Sequence, residues 1–254
     1  YELDDRKEWT DPACWEKANP GLGAIKKREK LQELVNKAID DPAFRPTVLV
    51  KDFNVKENEA TAFLRYEDII NDLQIPDAAF RYGIGSLDAA DSVDLNAARV
   101  LYMRRDDEHI YTKSMYWIPE SVIEEVERRG NEKERDDAPY RLWIQQGYMR
   151  TYPGNRVNKR VMLDWLIEFQ EIEDIYIYKV AYDPWHIDDS LLMQFEQEFG
   201  KNAMVPVRQG PYTLSQPMKN LKADLQAHKI VHENNPIDVW NLMNLHAKTD
   251  INEN

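Results

Sequence analysis

Two apolar runs in this chain stop on a carboxylate. Tyr82-Gly-Ile-Gly-Ser-Leu-Asp88 ends on an acid, and Ile175-Tyr-Ile-Tyr-Lys-Val-Ala-Tyr-Asp183 does the same before Pro184. In an open α/β sheet, functional groups gather beyond the C-terminal ends of parallel strands. If the two runs are neighbouring strands, their carboxylates converge and repel unless a cation lies between them or one is protonated. Hard carboxylate oxygens suit Mg2+ or Mn2+. Such ions would activate water and neutralise the charge of a phosphodiester under in-line attack. A third acid should come from another segment, and Asp250, following the helix that starts at Pro236, is the candidate. Each acid also has a plainer use: a turn former before proline, a polar strand end, a solvated tail residue.

Other chemistries find less support. The five histidines are scattered, with no His-Glu-x-x-His and no paired-cysteine spacing, so zinc sites and thiol catalysis are poorly served by Cys14 alone. No Gly-x-x-x-x-Gly-Lys-Ser/Thr loop is present to cradle a nucleotide. His186 follows Asp183 by three residues, where it would touch phosphate or, more commonly, serve as a hydrogen-bond partner at a helix entry. The aromatics Tyr176, Tyr178, Tyr182 and Trp185 fit packing around a central strand better than base stacking. Arg150, Arg156, Lys159 and Arg160 cluster around a turn, with Arg104 as a further basic group, and are the candidate phosphate contacts.

A net charge of −13 over 254 residues excludes a protein that coats nucleic acid by charge alone, so duplex binding should be weak and salt-sensitive. No apolar run approaches the roughly 20 residues of a membrane span, and the N-terminus lacks a secretory pattern, which points to a soluble cytoplasmic protein. The absence of an initial Met reads as a fragment or processed product.

The elements that must carry these residues follow from periodicity. Residues 1–78 read as a helical linker or appendage: an irregular lead-in around Trp9, Trp15 and Pro20, a helix over Ala24 to Ile39, an extended piece over Phe44 to Asn54, and a helix near Leu64 to Leu73. Residues 79–254 read as the main domain. Strands are expected over Tyr82–Asp88, Ala98–Arg104 and His109–Ile118, with short connections that favour antiparallel neighbours. A helix follows from Pro119 to Gly130, and another, capped by Asn158, carries Val161, Met162, Trp165, Leu166 and Phe169. It leads into the strand ending at Asp183, whose continuous apolar character fits coverage on both faces. Strand and helix then alternate to Asn244. That is the order of an α/β fold with a mixed sheet and helices on both faces, and a ribonuclease H-like core has that order.

Four segments, in order, resemble the large terminase subunits of tailed bacteriophages and prophages. Trp9-Thr-Asp-Pro-Ala-Cys-Trp-Glu-Lys-Ala-Asn-Pro-Gly-Leu-Gly23 is similar to the family's segment between the packaging ATPase and the nuclease. Gly85-Ser-Leu-Asp-Ala-Ala-Asp-Ser-Val-Asp-Leu-Asn-Ala97 resembles its first nuclease strand and following turn, and Val180-Ala-Tyr-Asp-Pro-Trp-His186 its Ala-Tyr-Asp-Arg-Trp pattern. Gln209 to Ser215, with Asn234-Asn-Pro-Ile-Asp-Val-Trp-Asn241 and Asn244, resembles the closing helical segment. The sequence departs at Ser86 and Pro184, where the family usually has Gly and Arg, and at Asn158, where it has Asp. A downstream Lys usual after the last Asp is not present before Asn254.

The resemblance implies the nuclease part of a terminase with the end of its ATPase linker: a metal-dependent endonuclease cutting concatemeric double-stranded DNA with two Mg2+ or Mn2+ ions. By position Asp88, Asp183 and Asp250 would be the catalytic metal ligands, with Asp94 second in rank. The implied partners are double-stranded DNA, the ATPase domain of the same protein, the portal and the small terminase subunit, in the cytoplasm of a bacterial host and away from membranes. The competing expectations are an interaction domain whose acids no longer bind metal, contacting the portal or small subunit, and another ribonuclease H-like nuclease.

Overall fold

The computed structural model describes residues 1–40, 44–55, 63–91, 95–129, 138–154 and 157–245. They form two compact units, one of Tyr1–Ile70 with the chain from Trp240, the other of Asn71–Val239. The division falls ahead of the boundary expected near residue 78 because Asn71 is tied to the later strands. Its side-chain nitrogen donates to the Ile230 carbonyl at 2.8 Å, and its backbone nitrogen to Asn234 Oδ1 at 3.1 Å.

In the first unit α1 (Trp15–Ala18), α2 (Arg28–Asp40) and α3 (Arg45–Phe53) surround one small core, and the single turn α4 (Tyr66–Ile69) follows them. Leu31, Val35 and Ala38 recur on one face of α2 and meet Val48, Phe53 and Trp15. The Trp15 indole nitrogen donates to the Trp9 carbonyl at 2.8 Å, so the Trp9–Gly23 motif closes on itself. Two expectations need correction. Phe44 to Asn54 is helical, not extended: Val48, Leu49 and Phe53 are buried at helical spacing, and this outweighs the β-branched composition. Leu64 to Leu73 supplies one helical turn, ended by the extended Ile70.

The second unit is built on a seven-stranded mixed sheet. In chain order it contains β1 (Tyr82–Asp88), β2 (Asn96–Tyr102), β3 (Ile110–Pro119), α5 (Glu120–Arg129), α6 (Tyr140–Gln145), β4 (Met149–Tyr152), α7 (Arg160–Glu173) and β5 (Tyr176–Tyr182). There follow α8 (Asp189–Phe199), β6 (Met204–Pro206), α9 (Pro211–Gln226), β7 (Ile230–Val231) and α10 (Pro236–Met243). The strand order is β4-β3-β2-β1-β5-β6, with β7 beside the start of β3. The β1-β2-β3 meander is antiparallel, whereas β5 pairs parallel to β1 and β6 parallel to β5. Sequence patterning missed α6 and β4, which are short and lie in a polar stretch.

On one face of the sheet, α7 and α8 bury Met162, Leu166, Phe169, Leu191 and Phe195 against Val100, Ile177 and Val180. Full burial of one such side chain contributes about 1.5–3 kcal/mol. Glycine at 83 is required by close approach, since a Cβ there would stand 2.8 Å from Val100 Cγ1. On the other face Tyr116 and Ile118 pack with Ile123, Trp143, Met149 and Ile237. That second layer does not cover β5 along its length, because Tyr176 and Tyr178 remain 56% and 44% exposed. The strand is therefore half-covered rather than sandwiched, and of the expected aromatic packing only Tyr182 enters the core.

Candidate metal centre

The β1–β5 ladder positions the two strand-ending acids. Gly83 pairs with Ile177, but Ile84 pairs with Lys179, so Tyr178 is an extra residue bulged out of β5. Beyond the bulge the register runs to Leu87 opposite Tyr182, and both side chains enter the α7–α8 core. The next residue on each chain is Asp88 and Asp183, directed away from that core because side chains alternate along a strand. Without the bulge Leu87 would face Ala181, and the two acids would fall on opposite faces. Two carboxylates thus leave adjacent parallel strands at their C-terminal ends.

Asp88 is exposed, whereas Asp183 is only 8% exposed. Asp183 Oδ1 accepts the Trp185 backbone N–H at 3.0 Å, and its carbonyl accepts the His186 N–H at 3.2 Å. This turn after Pro184 fixes the carboxylate and leaves Trp185, 81% exposed, at the rim. Burying a carboxylate is costly without a compensating charge or hydrogen bonds. The hard-oxygen donor set therefore fits a divalent ion. Among the described residues, no group of three or more His, Cys, Asp or Glu side chains is gathered to hold an ion. Asp250 and Asp94 lie outside the described residues, as does Arg156.

A second set of side chains braces the same turn. His186 Nδ1 lies 2.6 Å from Asp91 Oδ2, and its Nε2 lies 4.0 Å from Asp183 Oδ2. Lys159 Nζ contacts Asp91 Oδ1 at 2.5 Å and donates to the His186 carbonyl at 2.6 Å. The ammonium of Lys159, followed by the His186 contact, holds the Asp91 carboxyl below its usual range. Asp91 was not singled out from the sequence; its only signal was a second acid three residues after Asp88. Asp188 is instead the cap of α8, accepting the Leu191 N–H at 2.9 Å. Asn158 accepts the Arg160 N–H at 3.1 Å, but the N-cap of α7 is Lys159, one residue later than the Asn158 cap expected from the sequence.

The basic residues expected near phosphate are distributed differently. Lys159 ties loops together, Arg150 makes a two-pronged pair with Glu168 at 2.6 and 2.8 Å, and Arg160 pairs with Asp164 at 3.1 Å. Arg104 follows Tyr102, which pairs with Gly83 near the start of β1, so it lies at the opposite end of the sheet from Asp88. On the face shared by Asp88, Arg99 reaches the buried Asp238 at 2.6 Å, and Tyr116 also donates to Asp238. This polar cluster was likewise absent from the sequence reading.

A meander of three antiparallel strands extended by parallel β5 and β6, with helices on both faces, is the ribonuclease H-like architecture. The family model for the terminase large subunit endonuclease domain matches residues 1–254, and the chain belongs to that family. It is 26% identical over 260 residues to Protein YmfN of Escherichia coli (strain K12), covering 98% of this chain and 55% of that protein. It is also 26% identical over 188 residues to the large terminase subunit of Enterobacteria phage HK97, covering 74% of this chain and 36% of that protein. The crystal structure of the HK97 bacteriophage large terminase shares the fold at a TM-score of 0.59 and 21% identity, covering 100% of this chain and 51% of that one. The chain therefore spans about half the length, or less, of these relatives. Among the described residues no helix is long and apolar enough to cross a membrane.

Proposed function

We propose that this chain is the metal-dependent endonuclease part of a DNA-packaging terminase, cutting concatemeric double-stranded DNA. The observation that carries the reading is the pair Asp88 and Asp183, one step beyond Leu87 and Tyr182 on one face of parallel strands. The family membership of the whole chain supports the same chemistry.

In this proposal Asp88 and Asp183 hold Mg2+ or Mn2+, Asp250 completes the site, and Asp94 is a second-rank ligand. Two bound ions would supply an activated water and neutralise charge on the phosphodiester. The Trp185 N–H occupies Asp183 Oδ1 and so orients Oδ2 toward the site. Arg150, Arg156 and Arg160 are the candidate contacts to the DNA backbone, and the acidic surface makes the isolated chain a weak, salt-sensitive binder. The ATPase domain of the full-length protein, the portal and the small subunit would hold the duplex, in the cytoplasm of a bacterial host.

The test is cleavage of supercoiled plasmid with Mn2+, Mg2+ or EDTA, comparing wild type with Asp183→Asn. Asparagine keeps the Oδ1 acceptor for Trp185 and should keep the fold. Metal-dependent nicking should fall at least about a hundredfold in the variant, the scale of losing a group that stabilises developing charge. Undiminished cleavage in Asp183→Asn would remove this site assignment, and a folded wild type that never cleaves would favour an interaction domain.

A further inference from the structure

The arrangement around His186 goes further than the carboxylates. Its Nδ1 is 2.6 Å from the Asp91 carboxylate, and that carboxylate is itself anchored by Lys159. A neutral imidazole that donates its Nδ1–H to Asp91 has its Nε2 lone pair free to bind a metal ion. Nε2 faces Asp183 Oδ2 across 4.0 Å. Cis ligands on two bonds of about 2.1 Å stand about 3.0 Å apart, so the His186 ring has to close by about 1 Å from its 4.0 Å separation to share an ion with Asp183. Carboxylate, imidazole and open nitrogen in series are the parts by which proteins orient a metal-ligating histidine.

We infer that His186 is a nitrogen ligand of the ion held by Asp183, and that Asp91 is its positioning residue. This deepens the metal-dependent nuclease reading and rests on it. Mg2+ favours an all-oxygen shell, while imidazole favours later divalent ions. The site therefore prefers Mn2+ over Mg2+, and His186 is the source of that preference. Lys159 contributes by fixing Asp91 and the His186 carbonyl, which brings the loop after β1, the entry to α7 and the turn after β5 into one frame.

The decisive readout is the spin-echo envelope modulation of Mn2+ bound to the full chain, which detects a directly coordinated nitrogen. Wild type should show 14N modulation that changes to a 15N pattern on histidine labelling and disappears in His186→Gln. Asp91→Asn should weaken Mn2+ binding by about 10- to 100-fold, as loss of an orienting partner does. The double variant should bind no more weakly than His186→Gln alone, because Asp91 acts through His186. Bound Mn2+ without nitrogen modulation, or modulation that survives His186→Gln, overturns the assignment. If Asp183-dependent cleavage persists in that case, only the His186 inference fails. If the folded wild type binds no Mn2+, both the inference and the metal-dependent reading fail.

Discussion

Leu87 and Tyr182 face each other across the β1–β5 ladder, and one residue beyond each stands a carboxylate. That register exists because Tyr178 is bulged out of β5, shifting the pairing by one between Gly83 and Ile84. A one-residue slip exchanges the faces of every later side chain. The bulge thus places Asp183 on the same side as Asp88 while Tyr182 remains in the core.

Gly83→Ala should destabilise the second unit by about 1–3 kcal/mol, the cost of forcing an extra methyl into a packed interior. The added Cβ would meet Val100 Cγ1 at 2.8 Å and Ile175 Cγ2 at 3.2 Å, next to the bulge. Urea unfolding should show a lower midpoint with an unchanged slope. An unaltered midpoint would mean that β1 and β2 separate freely at this point.

The Asp238 carboxylate, 2% exposed, gathers Arg99, Ser114 and Tyr116 from β2 and β3 onto the first turn of α10. Asp238→Ala should cost about 1–3 kcal/mol, because the half-buried Arg99 and the Ser114 and Tyr116 hydroxyls lose their shared acceptor. Tyr116→Phe removes one hydrogen bond to a charged acceptor and should cost about 1.5–3 kcal/mol. Chemical denaturation of both single variants and the double variant should give a combined loss smaller than the sum. Strict additivity would show that the cluster does not act as a unit.

Acid lability has an identifiable contributor at the β2–β3 turn. The Tyr111 hydroxyl, the His109 N–H and the His109 ring all contact Asp107, lowering its pKa to about 2. An unfolded Asp titrates near 3.9. The folded value is depressed, so the group stabilises the fold above about pH 4 and loses that contribution as pH falls toward 2. Melting temperatures of wild type and Asp107→Asn should therefore differ most above pH 4 and converge toward pH 2. A difference that grows on acidification would contradict this account.

Phosphate must compete with Glu168 for Arg150, since the two-pronged pair occupies the guanidinium. The pair also holds the Glu168 carboxyl below, and the Arg150 guanidinium above, their ordinary values. Glu168→Gln should tighten duplex binding at low salt. If Arg150 then engages one phosphate, the slope of log affinity against log salt should steepen by roughly 0.9. Arg104→Ala, at the far end of the sheet, should leave that slope unchanged. Filter-binding titrations over a salt series decide both points, and the reverse pattern would move the DNA path to the β2–β3 end.

Much of this molecule was determined by local pattern. The acids at the ends of β1 and β5, the meander, the alternation from β5 to α10 and the ribonuclease H-like class all follow from period-2 and period-3.6 spacing with their punctuation. The same spacing was present in Phe44 to Asn54, where Val48, Leu49 and Phe53 outweighed a β-branched composition. Only tertiary structure decided how much of β5 is covered, because an apolar strand does not specify which helices lie over it. Only tertiary structure showed that Lys159 braces Asp91 and that Arg104 stands at the opposite end of the sheet from Asp88. Above all, the parity of the β1–β5 pairing rests on one bulged residue, a property of two strands together that neither strand encodes alone. The sequence by itself determined which carboxylates end the strands; the bulge decided that they share a face.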